Sequence, residues 1–273
     1  MSLFERIGVD VGRKMPVENA IRWAAANDVR YLDVQTDLAP NALFEMPARA
    51  AGIRALCEET GVELGLHTLS GVNIAEISPH VGEAADAYLT SYIDLAAATG
   101  AGWVIVHAGY HFTADYEMRR EAGLERLRRA AGHAEDNGVT LLLENTNREP
   151  ADAEVQYLCS ALEECLWYFE RLTSPCLKMS FTANHAHLYP EGVKGFVAAL
   201  DMSRCREVRL ADCRGTVEEH LNPGEGTMDF ADMFARIEAA GFRGHYMNQF
   251  GTLDDMLEGR RYLIGEAHKV GLA

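Results

Sequence analysis

The sequence predicts an α/β protein built as a single (β/α)8 TIM barrel over residues 1–273. Three observations predict it. Apolar runs of strand length recur eight times along the chain. Stretches with apolar residues near a 3.6-residue period fall between them. Polar side chains gather at the carboxyl ends of the runs, where a barrel of this kind keeps its chemistry.

The runs, in order, are IGVDV from Ile7, YLDVQ from Tyr31, VELGLHT from Val62 and WVIVHAG from Trp103. VTLLLEN from Val139, CLKMSFT from Cys176, EVRLAD from Glu207 and HYMNQF from His245 complete the set. Pro16 suits a first helical turn ahead of Val17, Ala20, Ile21 and Ala24 on one face. Leu124, Leu127, Ala131 and Ala134 line a second helix, which Gly138 is placed to end. Leu158, Leu162, Cys165, Leu166 and Phe169 mark a third, and Phe230, Met233, Phe234 and Ile237, closed by Gly241, a fourth. Strands alternating with helices imply parallel pairing through right-handed crossovers. Eight units favour a closed barrel over an open doubly wound sheet, and no GxGxxG follows the first run. The same absence argues against a nucleotide cofactor.

Composition narrows the class. The chain has 273 residues, 48% hydrophobic and 24% charged, with no linker-like tract, so one domain is expected. MSLFERIGVDVG lacks the basic and apolar regions of a signal peptide, and no run approaches the roughly 18 apolar residues of a membrane helix. Cys57, Cys159, Cys165, Cys176, Cys205 and Cys213 form no CxxC pair, which suggests reduced thiols and a cytoplasmic protein. The formal net charge is −16, from 41 acidic and 25 basic residues, which opposes binding to nucleic acid.

The strand ends carry the candidate site. His67, His107 and Glu144 end the third, fourth and fifth runs; Thr182, Asn184 and His185 follow the sixth. Asp212 and Gln249 end the last two, and Glu218 and His220 lie in the loop between them. A lone histidine is more often a hydrogen-bonded surface or core residue than a ligand. Polar groups at one end of so many apolar strands are harder to read as core, because burying them costs free energy. Lys178 and Ser180 share one face of the sixth run with Thr182. Lys178 is a candidate substrate-binding amine or a paired structural charge.

The stretches VELGLHT, VIVHAGYH, VTLLLENTN, TANHAHL and EEHLNPGEGTMDF resemble the xylose-isomerase-like superfamily of sugar-phosphate isomerases, epimerases and endonuclease-IV-type enzymes. In epimerase-like members the resemblance implies one metal held by Glu, Asp, His and Glu; the matching positions here are Glu144, Thr182, Arg209 and Gln249. An arginine cannot ligate a cation, and Thr and Gln are poor substitutes for carboxylates, so that site is expected to be broken. The endonuclease-like set is kept in two groups, His67 with His107 and Glu144, and His185 with Glu218 and His220. Each is a plausible ligand set for Zn or Mn. The resemblance also implies homo-oligomers.

The activity expected is proton abstraction next to the carbonyl of a small polyhydroxylated substrate, as in sugar isomerases and epimerases. Glu144 is the expected base, with His185 and Arg209 completing the catalytic set and Arg209 stabilising an oxyanion or clamping an acidic substrate group. His107, Asn184, His220, Gln249 and Lys178 are the expected substrate contacts. The alternatives are β-elimination on a keto sugar or cyclitol, phosphodiester hydrolysis, and a non-catalytic binding barrel that has lost the metal site.

Overall fold

The computed structural model describes residues 2–272. Its eight barrel strands are β1 (Ile7–Asp10), β2 (Tyr31–Gln35), β3 (Glu63–His67), β4 (Trp103–Val106), β5 (Thr140–Glu144), β6 (Leu177–Thr182), β7 (Cys205–Leu210) and β8 (His245–Asn248). Every neighbour pair is parallel, and β1 pairs with β8 to close the barrel. The crossover helices are α1 (Val17–Ala26), α2 (Ala50–Thr60), α3 (Pro79–Thr99), α4 (Tyr116–Asn137), α5 (Leu162–Arg171), α6 (Gly192–Ala199), α7 (Phe230–Ala239) and α8 (Leu253–Lys269). No helix among the described residues is long and apolar enough to cross a membrane.

The period-2 alternation of each strand sorts its side chains into two cores. Leu32, Val34, Leu64, Leu66, Leu141 and Leu143 pack outward in the main core, which lies between the strands and the helices. Val17, Ala20, Ile21 and Ala24 of α1 and Phe230, Met233, Phe234 and Ile237 of α7 meet them there, as their spacing requires. Gly138 and Gly241, at φ of 66° and 89°, end α4 and follow α7 in the left-handed region that glycine tolerates. Leu158 departs from the expected pattern: it lies in the connection ahead of α5, which starts at Leu162.

Inside the barrel, Trp103, Ile105, Leu142 and Met247 form a separate apolar cluster. Trp103 donates its indole N–H to Asp33 at 2.9 Å. A Cβ at Gly65 would lie 2.1 Å from that indole nitrogen, so only glycine fits the third strand there. Above this plug the inward side chains turn polar.

Two features were not foreseen. Tyr110–Phe112 pairs antiparallel with Val155–Tyr157, joining the loops that follow β4 and β5. The connection after β7 folds around Asp212, whose carboxylate accepts the backbone N–H groups of Cys213, Gly224, Gly226 and Met228 at 2.9–3.1 Å.

Candidate active site

The carboxyl ends of the strands enclose a polar cavity of about 400 Å³. His67, His107, Glu144, His185, Glu218 and His220 all line it. β3, β4 and β5 supply the first three from adjacent positions around the ring. His185 comes from the short helical turn after β6, and Glu218 and His220 come from the loop pinned by Asp212.

Glu144 is the hub. Its Oε2 faces His107 Nε2 at 3.1 Å and His67 Nε2 at 3.4 Å. Its Oε1 accepts the Thr182 hydroxyl proton, with His185 Nδ1 at 3.8 Å and Arg209 Nε at 3.9 Å. Burial alone would push this carboxyl up, but His107, His67 and Arg209 hold it well below the usual range. Glu144 is therefore an anion with both oxygens engaged, and only 3% exposed. Burial likewise opposes ionisation of Glu218, and His185 and His220 overcome it, with His220 Nε2 2.6 Å from Glu218 Oε1.

The histidines are oriented from behind. Thr68 gives its hydroxyl proton to Ile105 O at 2.9 Å, so its oxygen accepts from His107 Nδ1 at 3.2 Å. His185 Nδ1 donates to Asn145 O at 2.8 Å, and His67 Nδ1 donates to Asp10 at 3.0 Å. These assignments follow from the network. They direct all three Nε2 atoms at a cavity carboxylate. Burial pushes His107 down, against the pull of Glu144. Burial and Arg209 also press His67 down, yet Asp10 and Glu144 outweigh them and raise it to about 9.

Such an arrangement fits a divalent cation. The ligand atoms of His67, His107 and Glu144 lie within 4.8 Å of one another, and so do those of His185, Glu218 and His220. Inward Nε2 atoms with outward Nδ1–H groups bonded to a carboxylate, hydroxyl or carbonyl are the usual disposition of metal-binding imidazoles.

Several expected residues stand elsewhere. Arg209 does not line the cavity: it is 0% exposed and bonds Asp33 at 2.7 Å, Glu207 and Gln249 Oε1 at 2.8 Å, and Asp10. Burial disfavours its charge, but Glu207, Asp10, Glu144 and Asp33 raise its pKa well above the ordinary value. An enclosed guanidinium with these partners cannot also clamp a substrate, so the expected oxyanion role is corrected to a positioning one. Lys178 faces the barrel interior in register with Leu142, toward the amino-terminal end and outside the cavity lining. Asn184 is 1% exposed, away from the lining, with its amide against Glu219 O. Neither position allows substrate contact. Gln249 does line the cavity. Because Arg209 can only donate, Gln249 turns its oxygen down, and its buried Nε2 has no partner.

The sequence reading missed Asp10, Asp33 and Glu207, acids within the strand runs that surround Arg209. It also missed Glu149 and Tyr157, which line the cavity. A charge in the middle of an apolar strand was the available signal for the acids. No comparable signal marks the two loop residues.

A closed parallel barrel with its polar groups at the carboxyl strand ends defines the class of (β/α)8 barrels. The chain belongs to the xylose isomerase-like TIM barrel family, whose sequence pattern matches residues 21–263. Among solved structures it is similar to a D-tagatose 3-epimerase-like protein, at 19% identity and a TM-score of 0.81, over 97% of this chain and 98% of that one. An L-ribulose 3-epimerase matches at 17% identity and TM-score 0.77, over 99% and 96% of the two chains. Endonuclease IV from Thermus thermophilus matches at 19% and 0.69, over 97% and 99%. At these identities the likeness is one of fold. Comparison with curated proteins finds no match.

Proposed function

We propose that this protein is a sugar isomerase- or epimerase-like enzyme that moves a proton next to the carbonyl of a small polyhydroxylated substrate. The observation that carries this reading is the convergence of His67, His107, Glu144, His185, Glu218 and His220 on one polar cavity at the strand ends. Its volume, about 400 Å³, is in the range of small-ligand sites. The epimerase neighbours share the fold and lend the reading support.

In this reading the two triads hold divalent metal, Zn or Mn. A bound cation supplies electrophilic stabilisation of developing negative charge on a substrate oxygen. Gln249 Nε2 offers a fixed donor to a second oxygen. The geometry moves the base away from Glu144, whose oxygens are engaged and whose affinity for a proton is low. Glu149 is the better base: Asn147 holds its Oε1 at 2.7 Å, and no hydrogen bond to its Oε2 is seen among the described residues. Tyr157, pushed up by burial and by the charge of Glu149, keeps its proton and is a hydrogen-bond donor at the same wall.

The test is a screen of ketopentoses, ketohexoses and keto-inositols in deuterated water, read by NMR. Wild-type protein loaded with Mn should exchange a proton next to the carbonyl of at least one substrate. Glu149→Gln should lower that exchange by about two to four powers of ten while metal stays bound. Glu144→Gln should also lose the metal held with His67 and His107. Exchange undiminished in Glu149→Gln would refute the base, and no exchange with any substrate would refute the reaction class.

A further inference from the structure

The opposite end of the barrel holds a second polar recess, which the chemistry of the strand ends does not use. Its volume is about 100 Å³, and Tyr31, Trp103, Thr140, Arg206, Arg243 and His245 stand in its wall. They come from the starts of β2, β4, β5, β7 and β8, on the face where such barrels keep structural contacts. The back of the recess is a buried imidazole. His245 is 4% exposed, stacks on Tyr31 with ring centres 4.4 Å apart, and packs against Trp103 at the same distance. Its Nε2 lies 2.9 Å from Glu207 Oε2. Burial opposes the charge of Glu207, and Arg209 and His245 outweigh it. The proton of that bond is therefore on Nε2, and Nδ1 has no hydrogen-bond partner among the described residues.

Two cations flank the opening. A Cβ at Gly244 would lie 2.0 Å from Arg206 O, so glycine there lets the chain of Arg243 run against β7 and sets both arginines at one recess. Neither guanidinium meets a carboxylate among the described residues, and Arg243 gives one N–H to Phe242 O at 2.7 Å. The one carboxylate in the wall, Glu63, is already bonded to Arg30 at 2.7–2.8 Å. In a chain with 41 acids and 25 bases, two uncommitted arginines around one recess suit an anion.

We propose that this recess binds a single phosphate group. Arg206 and Arg243 donate to its oxygens, and one proton lies between the phosphate and His245 Nδ1. Either the phosphate O–H donates to the nitrogen, or the nitrogen carries that proton and donates it. The recess has about 100 Å³ against about 400 Å³ in the strand-end cavity, so it takes the phosphate and leaves the rest of an ester in solvent. Two arginines at one point hold one anion; they do not form a groove for a polymer. The site stands apart from the triads and from the proposed reaction.

The experiment is calorimetric titration of the full chain near neutral pH, in phosphate-free buffer. The protein is first stripped of metal by chelator, so that no cation at the strand ends can hold the anion. Inorganic phosphate and glycerol 3-phosphate are the two probes, and the tighter one names the source of the group. Wild type should bind one equivalent. Arg206→Gln and Arg243→Gln should each weaken binding about tenfold, the worth of one charged hydrogen-bonded contact, and the doubly substituted protein should bind neither probe. Both side chains are exposed, so these variants keep the barrel folded. Sulfate has no proton to share and should bind about tenfold more weakly than phosphate. NMR of the indole N–H signals locates the site: phosphate should move that of Trp103, beside His245, and leave those of Trp23 and Trp167 in place. No saturable binding in wild type, undiminished binding in the doubly substituted protein, or an unmoved Trp103 signal would overturn the proposal. Sulfate bound as tightly as phosphate would overturn the part given to His245.

Discussion

Arg209 holds together acids that would otherwise repel one another in the middle of the barrel. Asp10, Glu207 and Asp33 all reach its guanidinium, and none of the three is more than 8% exposed. Burial and the neighbouring Glu207 push Asp33 well above the usual range, against the pull of Arg209. Asp10 and Glu207 resist the same burial because Arg209 faces them. Removing one partner of a buried charge network leaves the others uncompensated. Arg209→Met should therefore cost about 3–5 kcal/mol in urea unfolding at pH 7. The pH dependence has a definite sign. Asp10 has a lowered folded pKa, so its contribution is present above the ordinary aspartate value of about 3.9 and is lost as pH falls toward the folded value. The gap between wild type and Arg209→Met should narrow below about pH 4. A loss under about 1 kcal/mol at pH 7 would show that the acids simply take up protons instead. In the sequence, an arginine inside VRLAD signals an inward position, and that much was legible. Its depth was not, because depth depends on which acids of β1 and β2 lie across the barrel, a contact between residues 199 positions apart.

At the scale of elements, the strands and helices declared themselves through their periods, and the loops did not. The short pairing of Tyr110–Phe112 with Val155–Tyr157 has three residues a side, too few for its alternation to mark a strand. The loop after β7 is likewise ordered by one side chain rather than by a repeat. Asp212 Oδ1 accepts from Cys213 and Met228, and Oδ2 from Gly224 and Gly226. The glycines are required there: Gly224 has φ of 99°, and a Cβ at Gly226 would lie 2.2 Å from Asp212 Oδ1. This clasp carries Glu218 and His220 to the cavity, so Asp212 is a positioning residue for the triad they form with His185. Asp212→Ala strands four backbone donors and should cost at least about 2 kcal/mol. It should also open residues 213–228 to limited proteolysis and abolish Zn²⁺ binding by His185, Glu218 and His220, with binding by His67, His107 and Glu144 kept. Asp212→Asn, which retains one acceptor oxygen, should restore part of the affinity of the His185, Glu218 and His220 group. Equal loss of both sites in Asp212→Ala would mean that the barrel, and not the loop, had failed.

For the whole molecule, closure of the barrel was legible because eight alternating units leave no unpaired edge and need none. The residues at the strand ends followed from that closure: once the ring is complete, His67, His107 and Glu144 must share a rim. The field of the molecule follows from composition in the same way. A net charge of −16 surrounds a cavity whose most central cation, Arg209, is sealed below the floor. Arg214, in the loop that carries Glu218 and His220, is already paired with Glu219. Binding to a phosphate backbone draws its strength from releasing counterions with exposed Lys and Arg, and little here can do so. Although endonuclease IV shares the fold, an abasic DNA duplex should show no retardation and no cleavage at about 0.15 M salt, with or without added Zn²⁺. Lowering the salt distinguishes weak attraction from repulsion. A basic groove would bind more tightly as screening falls, whereas two polyanions repel over a longer Debye length. Retention of the duplex that strengthens at low salt, or scission at the abasic site, would overturn this expectation and return the two triads to phosphodiester chemistry.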